Sequence, residues 1–535
     1  MATMTIKNIK TSIGVAILVL ATSLTSCVHQ LDTVPVDPRE KTKDNTYTDL
    51  ASYQQGLSKL YAGYATTGQQ GPAGDGDLGG IDEGASQYLR RLWEAQELPT
   101  DEAINGWTDP GQPSMSFMNW VSTNTLIEAL YNRVIYQVTI CNQYLRDTKD
   151  APFEEVKAYR AQARFLRAFS YWHALDLFGN IVPFVTENDN VGSDLPNPAG
   201  ELGGTELFDY IEAELLAIIE TSAEEQLIDA NAGLVGQANK GAAYMLLGKL
   251  YLNAGVYINQ DRLTEAKKYT DLVVSNYTLV ESATQDYTAY ETLFLADNYL
   301  QHKEIIFAIN FDGNYTQTYG GTTYLVCASV GGEMDAAKYG IGGGWGGNRS
   351  MPSLYELFED GNENQIDPRG LFFKGNKREV TDYREFTEGY GIEKFKNMKS
   401  DGSGATRLDF VDTNFPVFRL ADALLMQTEI DYRLSGSASN LNVKKLWDRV
   451  GRTGAVPQIS EEFLLAERAR ELYWEGHRRT DLRRFGQYSN GTYVAPWSYK
   501  GGVVDGKDVD SKYELYPLPA SDVGANPNLK QNPNY

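Results

Sequence analysis

Residues 160–185 read RAQARFLRAFSYWHALDLFGNIVPFV, and this stretch predicts the centre of a helical fold. The pattern indicates a long helix over residues 154–178. Arginines recur in its first half, whereas its second half, AFSYWHALDLF, is apolar on nearly every side. A helix that is apolar all round is normally buried, so we expect this helix to run through the core. Gly179 follows the last apolar residue and predicts the end of the helix.

Helical periodicity recurs on both sides of this stretch. Further helices are predicted over residues 48–64, 117–146, 205–221, 235–256, 262–275, 417–435, 441–452 and 460–475. The middle of the chain is rich in Tyr, Thr and Gly, with β-like stretches at Ile305–Asn310 and Thr323–Ala328. Short loops between helices suggest tetratricopeptide-like pairs, without a strict repeat. The predicted fold is therefore mainly α, with tetratricopeptide-like helical pairs and a loop-rich, small-β region.

The N-terminus has the layout of a secretory signal peptide. Lys7 and Lys10 precede an apolar run at residues 13–20, which is too short to span a membrane. Small residues then lead to Cys27 in the sequence Leu-Thr-Ser-Cys, which resembles a bacterial lipobox. We expect Cys27 to be the lipidation site and the anchor to a membrane. The alternative is an ordinary secretory signal with a chance cysteine.

Composition limits the classes of function. The 535-residue chain has a formal net charge of −23 and a sequence pI of about 4.7. Such an acidic surface repels phosphate backbones, so no nucleic acid partner is expected. Cys141 and Cys327 do not make a disulfide framework, and the four histidines have no partner at ligand spacing. The sequence therefore predicts no cofactor.

Five stretches taken together resemble the SusD/RagB family of outer-membrane glycan-binding lipoproteins. They are residues 160–185, 239–257 (NKGAAYMLLGKLYLNAGVY), 415–434 (FPVFRLADALLMQTEIDYRL), 467–486 (ERARELYWEGHRRTDLRRFG) and 516–535 (YPLPASDVGANPNLKQNPNY). The resemblance covers essentially the whole mature chain and implies a SusD-like fold. It also implies a cell-surface protein on the outer membrane that captures oligosaccharides without being an enzyme. Its expected partner is a SusC-like TonB-dependent transporter, which it would cover as a lid.

The resemblance also suggests a division of the chain. Residues 1–26 would be the lipoprotein signal peptide, and residues 27–47 the lipidated N-terminus and linker. Residues 48–535 would form a single domain. Within this domain, we expect the helical scaffold at about 117–275 and 417–485, and a loop-rich binding region at about 66–115 and 280–416. We expect the tail, residues 486–535, to wrap over the body.

Three segments narrow the resemblance to the starch-binding type of this family. They are residues 77–107, 319–327 and 343–345. The glycan-binding residues that this resemblance implies are Asp82, Arg90, Trp107, Tyr319 and Trp345. An aromatic face packs against the C–H groups of a sugar ring, while Asp and Arg hydrogen-bond to hydroxyls. Where the family has an asparagine, this chain has Pro110, so that hydrogen bond is absent or comes from Asp109.

Each of these residues also has a structural interpretation. The two tryptophans could pack in the core. Asp82 and Arg90 could pair with each other, or with Arg91 and Glu83. The arginines of RRTDLRRF, residues 478–485, are expected to pair with the local acids Glu471, Glu475 and Asp481. Some starch-type relatives hold calcium, but the matching acids are incomplete here: Asp412 is suitable, whereas Asn414 is not.

The sequence alone does not decide between three functions. The first is a receptor for an α-1,4-glucan such as starch or a maltooligosaccharide, with laminarin as an alternative glycan. The second is a glycoside hydrolase, which needs two carboxylates about 5–10 Å apart; Asp101 and Glu102 are the nearest such pair to Trp107. The third is a tetratricopeptide-type scaffold that binds protein alone.

Overall fold

The computed structural model describes residues 43–189, 195–200 and 204–535. The predicted signal peptide, Cys27 and most of the predicted linker lie outside these residues. The residues from Tyr53 to Tyr535 form one compact unit, and the chain before Tyr53 is a separate one. None of the helices in the described ranges is both long and apolar enough to cross a membrane.

Helices dominate the described part of the chain, as the sequence predicts. Their bounds are α1 Lys43–Thr46, α2 Leu50–Ala65, α3 Tyr88–Glu97, α4 Gln112–Phe117, α5 Thr125–Asp147, α6 Glu155–Phe178, α7 Glu206–Ile219, α8 Lys240–Leu252, α9 Ala254–Ile258, α10 Leu263–Asn276, α11 Gly321–Ser329, α12 Pro352–Tyr355, α13 Leu420–Ser435, α14 Leu441–Arg449, α15 Glu461–Leu472, α16 Arg478–Arg484 and α17 Ala520–Ala525. Helices α5, α6, α7 and α8 pack in chain order, and α8 then packs on α10, which packs on α13.

Helix α6 lies in the middle of this layer. Its second half is wholly buried, which confirms the prediction from its apolar sequence. The arginines of its first half pair with acids of neighbouring segments. Arg160 contacts Glu225, and both Arg164 and Arg167 contact Glu214 of α7 at 2.8 and 2.7 Å. The helix is therefore held by apolar contacts along one half and by ion pairs along the other.

Three short antiparallel sheets connect distant segments. They pair β1 Ala103–Asn105 with β3 Asn348–Ser350, β2 Ile305–Ile309 with β6 Phe415–Arg419, and β4 Phe372–Phe373 with β5 Gly391–Ile392. Strand β2 confirms the β-like pattern seen there in the sequence. Strand β6 leads directly into α13, so the loop-rich middle of the chain is hydrogen-bonded to the helical layer.

The prediction of β structure at Thr323–Ala328 is wrong, because these residues lie in helix α11. Their β-branched and aromatic side chains favour a strand only on a half-buried pleated surface. Here every residue of α11 is buried. Gly321 begins the helix with a φ of 53°, a conformation that glycine adopts at little cost. Tertiary packing therefore overrides the local propensity.

The predicted partners of the RRTDLRRF arginines are mostly wrong. The ion pairs that the structure has are Arg478–Asp101, Arg478–Glu102, Arg479–Asp176, Arg483–Asp176, Arg483–Glu514, Arg484–Glu429 and Arg484–Asp481. Of the local acids named from the sequence, Asp481 is the one that pairs with these arginines. Helix α16 is buried between other elements, so its arginines meet acids that are distant in the sequence.

The C-terminal tail packs along the body, as expected. The Tyr516 hydroxyl donates to the carbonyl of Ala95 at 2.8 Å. The Tyr535 hydroxyl accepts from the indole of Trp120, also at 2.8 Å. Because α3 begins at Tyr88 and carries Arg90, the tail also supports the helix that lies beneath the candidate site.

Candidate functional site

The β1–β3 ladder places Trp107 against the glycine-rich turn that carries Trp345. Asn105 lies opposite Asn348 at the end of the ladder, and the Gly106 amide then donates to the Gly347 carbonyl at 2.9 Å. A Cβ atom on Gly347 would lie 2.7 Å from the Trp107 ring. The ring therefore lies directly on the glycine backbone. It remains partly exposed.

Trp345 and Tyr319 form the next part of the same surface. The Trp345 amide donates to the carbonyl of Cys327, at the end of α11, at 2.7 Å. Its ring centroid lies 6.3 Å from that of Tyr319, with an interplanar angle of 59°. Tyr319 is 46% exposed and also contacts Phe410, centroid to centroid, at 5.5 Å. These tilted rings leave parts of their faces open to solvent.

Arg90 lies below this aromatic surface. Its guanidinium carbon is 5.5 Å from the centroid of Trp107 and 4.3 Å from that of Tyr324. Its Nε donates to Glu94 at 3.1 Å, within helix α3. The side chain is thus held by a carboxylate on one side and by two rings on the others. Cation–π contacts of this kind contribute about 0.5–2 kcal/mol each.

Asp82 lies on the exposed turn that precedes α3. Its Oδ1 accepts the amide of Ala85 at 3.0 Å. The next residue, Glu83, accepts the amide of Tyr319 at 3.1 Å, and Gly84 packs against the Tyr319 backbone. These contacts attach the Asp82 turn to the aromatic surface. The structure therefore brings all five residues named from the resemblance into one region.

The structure also shows contacts that the sequence did not reveal. Tyr324, Glu94 and Phe410 directly contact the five residues, but none was named from the sequence. Tyr324 donates to Asn348 at 3.0 Å and so connects α11 to the β1–β3 ladder. Tyr324 and Phe410 contact site residues that are distant from them in the sequence, so no local pattern marks them. Glu94 lies four residues from Arg90 on the same helix, a spacing from which this ion pair could have been predicted.

Arg91 and Glu94 complete a compact charge cluster under the site. Arg91 contacts Glu94 at 2.5 Å, and both side chains are almost completely buried. Burial lowers the pKa of Arg91 to about 10, and the nearby Glu94 carboxylate opposes this effect. The two guanidiniums and the Glu94 carboxylate thus lie packed together behind the aromatic surface.

Asp109 and Pro110 lie at the edge of this region. Both are exposed in the turn before α4. The backbone carbonyl of Asp109 accepts the amide of Gln112 at 3.0 Å. Pro110 has no amide proton to donate, so the chemistry at this position differs from that of an asparagine.

The acids considered for other chemistry have structural partners. Asp101 forms two 2.6 Å hydrogen bonds with Arg478. Glu102 is 2% exposed and Asp101 is 5% exposed. A substrate at the surface would therefore not contact this carboxylate pair.

Asp412, the residue considered for calcium, links two loops. It accepts the amide of Gly313 at 2.7 Å, and the amide and hydroxyl of Thr406 at 2.9 and 2.8 Å. Calcium usually takes six to eight oxygen ligands. Within the ranges that the structure describes, no group of three or more His, Cys, Asp or Glu residues could hold a metal ion.

A cavity of about 440 Å³ lies elsewhere, between α2, α6 and β2. Its walls include Leu57, Tyr61 and Phe307, and none of the five residues of the candidate site lines it. The candidate site is instead a surface of partly exposed aromatic rings and the exposed Asp82 carboxylate, with the buried Arg90 guanidinium beneath it. An open surface can accommodate part of a long polymer.

The protein is a layer of packed helices whose connecting loops carry an open aromatic surface. Comparison with known proteins shows which class has this combination. The SusD family model matches residues 359–535. The starch-binding protein SusD of Bacteroides thetaiotaomicron is 34% identical to this chain, over 99% of each chain. SusD-like protein P2 of Formosa agariphila is 24% identical, over 77% of this chain and 81% of the relative. The chain belongs to the SusD family.

Solved structures share the fold at lower sequence identity. Surface glycan-binding protein A from Bacteroides thetaiotaomicron, in complex with laminarihexaose, aligns with a TM-score of 0.67 and 18% identity, covering 91% of this chain and 100% of that one. A laminarin-binding SusD-like protein aligns with a TM-score of 0.63 and 20% identity over the same shares. These similarities confirm the predicted SusD-like, mainly helical fold.

Proposed function

We propose that this protein is a non-enzymatic receptor that binds an oligosaccharide at the surface formed by Asp82, Arg90, Trp107, Tyr319 and Trp345. The observation that carries the proposal is the grouping of three partly exposed aromatic rings beside a carboxylate and a guanidinium. Sugar rings pack their C–H faces on aromatic rings, which are rigid and lose little entropy on binding. The polar pair hydrogen-bonds to hydroxyl groups.

An α-1,4-glucan is our first choice of ligand. The starch-binding relative is 34% identical over nearly the whole chain, and this supports a starch-type glycan. Laminarin is the alternative, because a protein of the same fold was solved with laminarihexaose. The tilt between Tyr319 and Trp345 suits a curved chain better than a flat one, and the similarity to the starch-binding relative is the reason for choosing the α-1,4-glucan.

Affinity electrophoresis tests the ligand. Native gels containing amylopectin, pullulan, laminarin, dextran or xyloglucan are compared with a gel that contains no polysaccharide. We expect amylopectin and pullulan to slow the protein. The Trp107→Ala variant should lose at least about tenfold in affinity, a loss of about 1.4 kcal/mol. The Trp107→Phe variant retains an aromatic platform and should keep part of the retardation. Retardation by laminarin alone would make the choice of glucan wrong.

Incubation with the same polysaccharides distinguishes a receptor from a hydrolase. We expect the chain length of the glucan to stay constant over time in the presence of the protein. Time-dependent shortening that is lost in a variant at an exposed carboxylate would overturn the receptor proposal. A scaffold that binds protein alone would show no retardation in any gel.

We also propose that Cys27 carries a lipid that holds the receptor on the outer face of the outer membrane, where it delivers glycan to a SusC-like TonB-dependent transporter. The lipobox-like sequence and membership of the SusD family support this. Replacing Cys27 with alanine should release the protein from the membrane fraction. Co-purification with a TonB-dependent transporter from detergent extracts tests the partner. A Cys27→Ala protein that stays in the membrane fraction would contradict the lipid anchor.

A further inference from the structure

The geometry points to an additional sugar-binding subsite on the loop of residues 381–387, next to Trp107 and Trp345. This subsite would bind one end of a longer oligosaccharide through Arg384, Asp382 and Phe386. The inference rests on the proposed function, since it extends the same surface. It was not visible in the sequence, because about 270 residues separate this loop from Trp107.

Two backbone contacts place the 381–387 loop beside the site. A Cβ atom on Gly106 would lie 3.0 Å from the carbonyl oxygen of Tyr383, so the loop runs directly beside the residue that precedes Trp107. A Cβ atom on Gly346 would lie 3.5 Å from the ring of Phe386, and Gly346 directly follows Trp345. The loop therefore borders both tryptophans through their neighbours.

Phe386 continues the aromatic surface. Its ring also packs against Gly331, where a Cβ atom would lie 2.9 Å away. A side chain at Gly331 would push the ring away, so this glycine permits its close approach, whereas a Cβ atom on Gly346 would meet the ring at ordinary contact distance. Phe386 remains partly exposed. A half-buried ring with a fixed position offers a sugar the same kind of platform as Trp107.

Buried Arg349 fixes the distance between the loop and the tryptophans. Its three donor groups contact three backbone carbonyls: Nε that of Glu388 at 2.8 Å, NH1 that of Gly347 at 3.0 Å, and NH2 that of Tyr383 at 2.5 Å. Arg349 lies in β3 and is 0% exposed. One planar side chain thus connects the Trp345 turn to both ends of the loop.

The base of the loop is held by Glu388. Its carboxylate accepts the amides of Asp382 and Thr381, at 2.7 and 2.8 Å, and also the Thr381 hydroxyl. These hydrogen bonds, with that of Lys377, lower the pKa of Glu388 to about 2. The carboxylate is therefore ionised at neutral pH and keeps the loop in one conformation.

Asp382 and Arg384 form a polar pair that is open to solvent. The Arg384 Nε and NH2 donate to the two carboxylate oxygens of Asp382 at 2.9 and 2.6 Å, and the Arg384 amide donates at 3.0 Å. The Arg384 side chain is 61% exposed and the Asp382 side chain 35% exposed. Such a two-pronged pair has little freedom, so it can donate to and accept from vicinal hydroxyls at low entropic cost.

The chemical class of the ligand follows from these groups. A partly exposed ring beside an ordered carboxylate and guanidinium matches the composition of the first site, in which Trp107 lies over Arg90 and the Asp82 turn contacts Tyr319. The subsite therefore fits a neutral sugar ring with vicinal hydroxyls. We expect it to be occupied by chains that extend beyond Trp107, and to be empty when the ligand is short.

Isothermal titration calorimetry with oligosaccharides of two lengths tests this inference. Maltotriose and maltoheptaose are titrated into the wild type and the Arg384→Ala variant, and laminaritriose and laminarihexaose are used in the same way. We expect Arg384→Ala to weaken binding of the longer sugar three- to tenfold and to leave the shorter sugar unchanged. Phe386→Leu, which removes the flat ring, should do the same. Lys444→Ala, which removes an exposed charge on α14 that pairs with Asp448, is the matched control and should change neither.

The outcomes separate the subsite from the proposed function. If the wild type binds the sugars but Arg384→Ala and Phe386→Leu leave the longer sugar unaffected, the subsite is wrong and the receptor function stands. Equal weakening of both lengths also contradicts the subsite, since it indicates a general disturbance of the surface. If the wild type binds neither sugar series, the proposed function fails and the subsite fails with it.

Discussion

At the residue scale, Gly347 determines how Trp107 is presented. Nothing lies between the glycine backbone and the ring, so an added methyl group must displace the ring. We expect Gly347→Ala to reduce glucan affinity by about threefold or more, although every aromatic side chain is retained. A loss of binding of this kind would show that the position of the ring matters as well as its presence. Calorimetry with maltoheptaose measures the effect.

Gly343 provides the matched control for this variant. It lies in the same glycine-rich turn, but a Cβ atom there would have no neighbour within 4 Å. Gly343→Ala should therefore bind glucan like the wild type. If both alanine variants lose affinity equally, turn flexibility and not ring placement explains the loss.

Glu97 and Glu102 form a second feature at the residue scale. The two carboxyls lie beside each other and are almost fully buried. Burial raises the pKa of Glu102 to about 7, and burial together with Glu102 raises that of Glu97 well above its usual value. The folded pair therefore retains a proton that the unfolded chain releases above about pH 4.5.

This proton makes stability depend on pH. Because the folded state binds more protons than the unfolded state, the pair's contribution is complete below about pH 4.5. It is lost as the pH rises toward 7, at up to about 1.4 kcal/mol per pH unit. Glu97→Gln keeps the acceptor for the Gly476 amide and supplies a permanent donor. We expect urea unfolding from pH 5 to 8 to show a flatter profile for this variant. The control is Glu462→Gln at an exposed position, whose profile should run parallel to that of the wild type. A parallel profile for Glu97→Gln would contradict this account.

At the scale of elements, the β1–β3 pair and the 381–387 loop act together through Arg349. Arg349→Lys keeps the charge but cannot contact three carbonyls in one plane. Leaving buried carbonyls without donors costs about 1–3 kcal/mol each, so we expect a loss of about 2–4 kcal/mol in the free energy of unfolding. Glucan affinity should also fall when it is measured well below the unfolding transition. Unchanged affinity in a folded variant would show that the element pair does not position the site.

The elements differ in how far the sequence predicts them. Helix α6 is predictable because its apolar residues surround the whole helix, a pattern that strands do not produce. Helix α11 is not, since residues such as Thr322 and Thr323 favour strands locally and adopt a helix only when buried on all sides. Strands of two or three residues, such as β1 and β4, depend on partners more than 15 residues away and leave no local pattern.

At the scale of the whole molecule, buried ion pairs connect segments across the chain. Glu471 of α15 accepts from Arg369, Arg419 and Arg449, with N–O distances of 2.9, 2.6 and 2.5 Å. Burial alone would raise the pKa of this carboxyl, but the three guanidiniums outweigh burial and hold it far below its usual value. These pairs join β6, α14 and the loop before β4 to one residue.

Glu471→Gln tests this connection. The substitution leaves three buried guanidiniums with one charge fewer to balance them, and breaking a buried pair in this way costs about 3–5 kcal/mol. We expect the urea midpoint to fall accordingly. Glu461→Gln on the same helix is the control: its side chain is 48% exposed and 3.6 Å from Arg433, and such surface pairs contribute about 0–1 kcal/mol. Equal midpoints for the two variants would contradict a structural role for the cluster.

The sequence predicts only part of the candidate site, just as it predicts only part of the fold. Trp107, Tyr319 and Trp345 could be named because their segments resemble the starch-binding type of the family, and their Gly-rich surroundings agree with exposed positions. The groups that hold them, such as Tyr324 and Arg349, could not be named in that way. Their roles depend on which segments meet, and hydrogen bonds to backbone carbonyls impose no residue type on the partner.

The position of Cys327 beneath Trp345 gives the protein an internal chemical reporter. Cys141 and Cys327 are buried, and burial raises the pKa of each thiol to about 12. The thiolate is the species that reacts, so an alkylating reagent modifies either residue only while the surrounding structure is open. Cys327 lies under the turn that carries Trp345, whereas Cys141 lies in helix α5. The modification rate of Cys327 therefore reports opening of the loops, and that of Cys141 reports unfolding of the helical layer. A ligand bound across Trp345 should slow modification of Cys327 more than that of Cys141.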